Sequence, residues 1–500
     1  MTVSSIFFGL EIGRRGLQAQ QRALDVTAHN VANANTPGYT RQEAVMAVAD
    51  PIPVPSLHMP SGAGQLGTGV EIAAIRRLRD GFIDLQIRNE SRSLGYWEAR
   101  QENLNKIEGI FNEPSESGLQ SVFELFWQSL EELSKNPESL AARSLVLERA
   151  QTLTETFNHL DSRLQELQQD INATVKIKVD EINSLGRQIA DLNQQILKIE
   201  VMGARANDLR DRRDLLVDQL AKIVPVQVHE DGRGVLTVTI GGCPLVQGAQ
   251  LNRLGVVENA SGLYDVVWEA PEGREAAVGG GYLGGLLEMR DDYIPDLRKK
   301  LDNLARGFAE KFNEIHRQGA GVNGDTGMNF FINKDDNTGD GITAGNIGIN
   351  EDIVEDPWKL AAAVFVEVPD TDDPDLYENK KQIDGIWYTW DTGDGSNALA
   401  LAGLKHQTID GLGTTFDDYY RSTIGVLGVD AQQAVRMKEN QELLVSQLEN
   451  NRQAVSGVSL DEEMINMIKF QHAYSAASRL ITALDEMLEI IINRMGVVGR

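Results

Sequence analysis

The chain is poor in several things. It holds one cysteine, Cys243, among 500 residues. That excludes an internal disulfide framework and any thiolate metal cluster. Cations are scarce: 47 Lys and Arg against 74 Asp and Glu leave a net charge of −27. General nucleic-acid or anionic-membrane binding needs a basic surface, which this balance does not offer. No window approaches the ~18 apolar residues of a membrane span. The longest candidate, Ala361 to Val366, suits a buried strand or helix turn. The start Met1–Ser5 carries no side-chain cation, and Ile6-Phe7-Phe8 is soon followed by Glu11, so no cleavable secretory signal is expected there.

The hydrophobic fraction, 41%, is enough for a sizeable core. Length suggests roughly three domains. Residues 5–33 read as a helix in which Leu10, Leu17, Leu24 and Val31 recur every seven positions on an otherwise polar cylinder. One narrow stripe of this kind is a coiled-coil seam. The helix should stop before Thr36-Pro37-Gly38-Tyr39. Residues 41–90 read as an extended linker, rich in Pro and Gly between 50 and 70 (Pro51, Pro53, Pro55, Pro60, Gly62, Gly64), with helical patterning resuming near Arg76. Long helices come next, the longest over 140–202 and able to reach about 90 Å. Its stripe drifts, with Thr174, Lys178 and Glu181 in the seam register and Val175, Val179 and Ile182 one place over. Strand patterning takes over between 224 and 282, and a helix from 284 to 317 tolerates Pro295 at a kink.

Residues 321–398 hold 17 acidic and 4 basic residues, nearly half of the charge excess, and read as an inserted, outward-facing β-rich module. Helices return over 399–456. The last segment, 457–500, is the clearest signal. Leu460, Met467, Tyr474, Ile481, Leu488 and Met495 share one heptad position, and Phe470, Ala477, Leu484 and Ile491 a second. Ser459 with Glu462 matches a capping box. The fold expected is mainly α with β-rich insertions: terminal coiled-coil helices (1–40 and 457–500), a long-helix bundle with a small β region (91–320 and 399–456), and the outer insert.

Chemistry-bearing motifs are weak. Gly279, Gly281 and Gly284 satisfy G-x-G-x-x-G, but a dinucleotide site also needs a βαβ unit, and a strand-to-helix turn is the better reading. Asp335 to Gly341 resembles part of a calcium loop, yet Ile347 stands where a bidentate Glu is required. The seven His form no zinc pattern. Cys243, between Gly242 and Pro244, reads as structural. Arg76, Arg77 and Arg79 form a basic cluster that is either a solvated helix face or an intersubunit contact to acidic neighbours. Asn30, Asn33 and Asn35, with His29, either terminate the first helix or make amide bonds between packed subunits. No catalytic, cofactor or metal residue is assigned.

Three stretches carry a family resemblance. Leu24-Asp25-Val26-Thr27-Ala28-His29-Asn30-Val31-Ala32-Asn33-Ala34-Asn35-Thr36-Pro37-Gly38-Tyr39 resembles the N-terminal signature of flagellar axial proteins, the rod, hook and hook-associated proteins. Thr40-Arg41-Gln42 is most similar to the branch at the hook–filament junction. Residues 206–217 resemble the central helix of that branch. Gly457 to Met464 with Phe470-Gln471-His472-Ala473-Tyr474 resembles its C-terminal signature. The resemblance implies a non-enzymatic subunit, exported by the type III route and assembled into a ring of about eleven copies, each meeting the next through unlike patches. The partners it implies are hook protein, the second junction protein (hook-associated protein 3), and a cytosolic export chaperone at the C-terminal region, with no nucleic acid and no membrane. Leu460, Met467, Phe470, Tyr474, Ile481, Leu484 and Leu488 are then expected to pack on the Leu10–Val31 stripe. Hook protein itself, and a nucleotide-binding enzyme using the Gly279–Gly284 loop, are the other readings.

Overall fold

The computed structural model describes residues 6–51, 67–271, 273–368, 379–383, 386–408 and 413–494. Pro53, Pro55, Pro60, Gly62 and Gly64 of the expected linker, Met495 of the heptad row, and the acidic tract 369–378 lie outside them. No helix among the described residues is long and apolar enough to cross a membrane.

The first helix, α1, spans Ile6–Ala32. After it the chain forms an antiparallel hairpin of β1 (Gln42–Val48) and β2 (Val70–Arg77), registered Gln42 to Arg77 and bulged at Val45/Met46. This corrects the expected extended linker. The next helix, α2 (Gly81–Phe111), starts where the Asp80 side chain accepts the Phe82 N–H, so Arg76 and Arg77 are strand residues.

Then come α3 (Leu119–Lys135), α4 (Leu140–Glu200) and α5 (Asn207–Ile223). In α4 the stripe Leu153, Phe157, Leu160, Leu164, Leu167, Ile171 is buried, and the burial passes to Val175, Val179 and Ile182. That shift moves the helix from helical partners to strands. Two antiparallel sheets lie along its second half: β3 (Val226–Glu230), β4 (Leu236–Ile240), β5 (Cys243–Gln247), β6 (Gln250–Leu251), and then β7 (Leu254–Glu258), β8 (Tyr264–Trp268), β9 (Arg274–Glu275). Asn172, Asn183 and Asn193 on α4 donate to the Gly262, Leu254 and Leu236 carbonyls. The Asn183 and Asn193 amides satisfy strand backbone that would otherwise be buried unpaired.

The helix expected over 284–317 is present as one continuous helical run with a π turn inside it. A five-residue π turn, Met289–Tyr293, joins α6 (Gly281–Glu288) to α7 (Ile294–His316), with Pro295 in the first turn of α7. The wider turn accommodates the N–H that Pro295 lacks.

Residues 321–398 are not a separate outward module. Small pairs β10 (Gly319–Ala320) with β13 (Ala363–Val364) and β11 (Phe331–Asn333) with β12 (Ile347–Ile349) flank α8 (Glu351–Glu355). Phe330, Phe331, Ile342, Ile347, Ile353 and Leu360 enter the main core. The acids, such as Asp335, Asp336 and Asp340, sit in exposed turns between these anchors, so composition concealed the burial. A second small cluster of Ala320, Ala363 and Trp390, with Phe365 packed on it, joins the β10–β13 pair to the flank of the sheet of β14 (Val366–Val368), β15 (Lys380–Ile383) and β16 (Ile386–Thr389). The chain returns through α9 (Ser396–Gly403), α10 (Phe416–Ser456) and α11 (Leu460–Arg494), and α11 packs along α1. Long terminal helices and scattered small sheets match the expected fold class.

Candidate functional site: a polar joint beneath the paired chain ends

At the end of α1, Asn30 is buried and fully bonded. Its Nδ2 donates to Gln42 O at 2.9 Å and to Glu463 Oε2 at 3.1 Å. Its Oδ1 accepts from Tyr39 Oη at 2.8 Å and from Gln42 N at 3.0 Å. One amide therefore ties α1 to β1, to the Pro37-Gly38 turn and to α11. Burial, then the charges of Asp208, Asp211 and Glu463, push the Tyr39 phenol well above its ordinary range, so it remains a donor. Next in the chain, Arg41 donates to Glu462 at 2.6 Å and Glu463 at 2.8 Å, and its backbone N–H reaches Ser456 O at 2.8 Å. Ser459 accepts the Glu462 N–H, but the Glu462 carboxylate goes to Arg41 rather than back to the cap, so the capping box is half made.

The third partner is α5. Asp208, Asp211, Asp214 and Asp218 fall three, three and four residues apart, on one helical face. Opposite them come the arginines of the β2–α2 crossing. Arg77 reaches Asp211 at 2.7 Å and Asp214 at 2.8 Å. Arg79 bridges Asp214 and Asp84, both at 2.5 Å. Arg88 and, from the end of α10, Arg452 each meet Asp218 at 2.8 Å. Burial works to raise Asp214, yet Arg79 and Arg77 outweigh it and hold the carboxyl below its usual range. For Asp211 burial wins over Arg77, and its pKa rises. Gln42 and Thr40 complete the contact: Gln42 donates to Asp208 at 2.7 Å, and Thr40 N to Asp211 at 3.0 Å. Neither expectation for the arginines holds for Arg77 and Arg79, which pair within the chain. Arg76 is exposed and pairs with Glu43 at 3.0 Å. The row of Asp on α5 was the signal that could have located their partners.

The three stretches that carry the family resemblance, at 24–42, 206–217 and 457–474, thus meet at one place. Between them, under residues 34–41 and facing Arg79, Asp218 and Arg452, lies a cleft of about 590 Å³.

Above the joint, the expected pairing of chain ends is present with a different α1 face. Gly9, Gly13 and Gly16 stand against Leu484, Ile481 and Ala477. A Cβ at position 13 would lie 2.7 Å from Ile481 Cγ1. Leu10, Leu17, Leu24 and Val31 are only partly buried, while Ala19, Ala23 and Thr27 are fully so, in the packing of α1 with the hairpin and α11. On α11, Met467, Phe470, Ile481, Leu484 and Leu488 are partly buried, but Leu460 and Tyr474 are exposed. A second apolar row, Ile465, Ile468, Leu480, Met487 and Ile490, is also exposed. Asn33 donates to His29 O at 3.0 Å and accepts from Thr36, ending α1, and Asn35 is exposed in the turn. Asn30 and Asn33 therefore both bond within the chain.

The remaining motifs are structural. At Gly281 a Cβ would fall 2.5 Å from Ile223 O, and at Gly285 2.7 Å from Tyr96 O, so the glycines let the N-terminus of α6 press on the backbones of α5 and α2. A phosphate would have to occupy that volume. Asp336 accepts from Thr338 N and Oγ1 in an acidic turn, and among the described residues no cluster of three or more His, Cys or acids could hold a metal ion. Cys243 is buried at the start of β5.

Residues 104–331 match the family model "Flagellar hook-associated protein FlgK helical domain". Residues 450–495 match "Flagellar basal body rod FlgEFG protein C-terminal", and residues 10–40 match "Flagella basal body rod protein". Flagellar hook-associated protein 1 of Bacillus subtilis is 37% identical over the whole of both chains. That of Escherichia coli is 28% identical, covering 96% of this chain and 98% of its own. The fold is similar to the flagellar hook junction protein FlgK from Burkholderia pseudomallei, with a TM-score of 0.62 at 18% identity, over 74% of this chain and all of that one. Full-length identity at this level, with both terminal motifs and the central helix in register, places the chain in the flagellar hook-associated protein 1 family.

Proposed function

We propose that this chain is a structural subunit of the bacterial flagellum that joins hook to filament. One observation supports the reading above the others: the ends of the chain form a long, two-helix arm that leaves the Ile465–Ile490 row of α11 uncovered. A monomer rarely retains such a row, and a patch of this kind marks an interaction surface. Copies arranged around an axis would cover it with unlike faces of their neighbours, as a heterologous assembly requires. In this reading Leu10, Leu17, Leu24, Val31, Leu460 and Tyr474, half-buried or exposed in the single chain, are buried on assembly. The arm, residues 1–40 and 457–500, forms the inner part and the bundle the outer part. Hook protein lies on one side, hook-associated protein 3 on the other, and an export chaperone holds the C-terminal helix before secretion.

Immunogold electron microscopy with antibody against residues 321–398 tests this. A single narrow band where hook meets filament is expected. Label along the whole hook would move the chain to the hook class, and label confined to the cytoplasm would overturn the assignment.

A further inference from the structure

The longest helix ends in an apolar point. The last buried residue of α4 is Ile196, and the chain turns back towards α5 through exposed Ile199, Val201 and Met202. Val201 is 79% exposed and Met202 86%. Gly203 makes the turn, with a φ of 82°. Three large apolar side chains within four residues, ringed by charge, have the form of an interaction site rather than of scattered exposure. The exposed rim is cationic. Val201, Arg205 and Arg233 line one open groove of about 630 Å³, and exposed Lys198 stands one helical turn before Val201. The acids of the turn are engaged: Glu200 by Arg210 at 2.7 Å, and Asp231 by the N–H groups of Arg233 and Val235, both at 2.9 Å. On a chain of net charge −27 such a rim is distinctive, and it complements a partner that is apolar with an acidic edge.

The first two turns of α11 are such a surface. Met464, Ile465 and Ile468 are exposed there, beside exposed Asp461. The point of α4 is at the joint end of the bundle, because Asn207, at the start of α5, donates to Ile75 O of β2 at 3.0 Å. Both surfaces are uncovered in the single chain, so their union requires a second copy. We propose that the α4–α5 turn of one copy docks on the start of α11 in the next, Val201 and Met202 against Ile465 and Ile468, with Lys198 and Arg205 towards Asp461. The docking rests on the assembly reading above and names the unlike face that covers the beginning of the exposed row. The two patches lie on different elements, so the contact repeats from copy to copy instead of closing on a pair.

The test uses the full chain with Cys243→Ser, assembled in cells. Met202→Cys and Ile465→Cys are combined, and isolated hook–filament structures are treated with a short bismaleimide and resolved by mass on a denaturing gel. A ladder of covalent dimers and larger multiples is expected from the pair and from neither single variant. Met202→Cys with Ile490→Cys, about 37 Å further along α11 by the helical rise, should give none. Lys198→Glu with Arg205→Glu should reduce the ladder several-fold, and Asp461→Lys should restore it. Three results would overturn the docking and leave the assembly reading standing: an equal ladder with Ile490→Cys, a product with hook protein in place of multiples, or no ladder from junctions that keep their narrow immunogold band. A missing band for the unsubstituted chain would remove that reading, and the docking with it.

Discussion

The bundle and the terminal arm are built from the same kind of helix and end in opposite states. In the bundle Phe308 touches six other rings, those of Phe123, Phe126, Trp127, Phe312, Phe331 and Phe416, at centroid distances of 4.9–5.9 Å. All of these side chains are buried. In the arm, the described heptad side chains of α11 are at best partly buried, and the buried side chain among the described residues of that helix is an ion-paired one, Glu463. The lesson is that periodicity reports an apolar face, and the supply of partners decides whether one chain can bury it. The bundle closes on itself; the arm closes one seam and leaves the second open.

The largest effect should come from breaking the bundle at its centre. Phe308→Ala is expected to cost about 4–5 kcal/mol, the upper range for a buried ring, read as a fall in the denaturation midpoint of the bundle. A change under 1 kcal/mol would mean the ring cluster does not dominate that core. Arg79→Ala should come second, at about 3–4 kcal/mol, because it takes the near cation from buried Asp84 and leaves buried Asp214 with Arg77 alone. Hydrogen exchange should place that loss at α1 and the hairpin; a loss spread evenly over α3 and α4 would show that the arm and bundle unfold as one.

Acid sharpens the contrast a third way. His316 is enclosed in the bundle, with Nδ1–H donating to Met328 O and Nε2 accepting from Ala361 N. Burial lowers its pKa from 6.5 to about 4. The unfolded chain therefore binds the proton first. The stabilisation is complete above about pH 6.5 and is lost as pH falls towards 4, by about 3 kcal/mol in total. Bundle stability measured from pH 7 to 5 should decline, and His316→Gln should flatten the curve. The smallest effect on stability belongs to Ile481→Asp with Leu484→Asp. Bundle unfolding should shift by less than about 1 kcal/mol, given the partial exposure of both sites, while incorporation into hooks is abolished. Normal incorporation would remove α11 from the assembly surface.

Much of this was legible before any coordinates. The heptads of α11, the Pro37-Gly38 stop after α1 and the strand runs of 226–268 are local signals, and each element lies where its pattern places it. The hairpin was not legible, because the Pro- and Gly-rich stretch between its strands hides two short alternating runs on either side. The acidic segment misled through composition: Phe330, Phe331 and Ile347 are few, yet all are buried. Nor does glycine register on any hydrophobic count, so the face of α1 that meets Ile481 was invisible and the leucine row drew the attention. The joint was half visible. Its arginines stood out, but ion pairs between residues more than a hundred positions apart leave no periodic trace.

The notch at Gly13 also sets an order of events. Its partner, Ile481, lies on α11, far along the chain, so α1 finds its seat only after α11 is made. Contacts of such long sequence separation form slowly, and a lone helix with a narrow apolar stripe is marginal in water. Until both helices are free in the same place, the arm cannot exist, and neither can the exposed row that α11 carries on it. Synthesis as far as α11 is thereby a precondition for closing the arm, a timing rule written into one missing side chain.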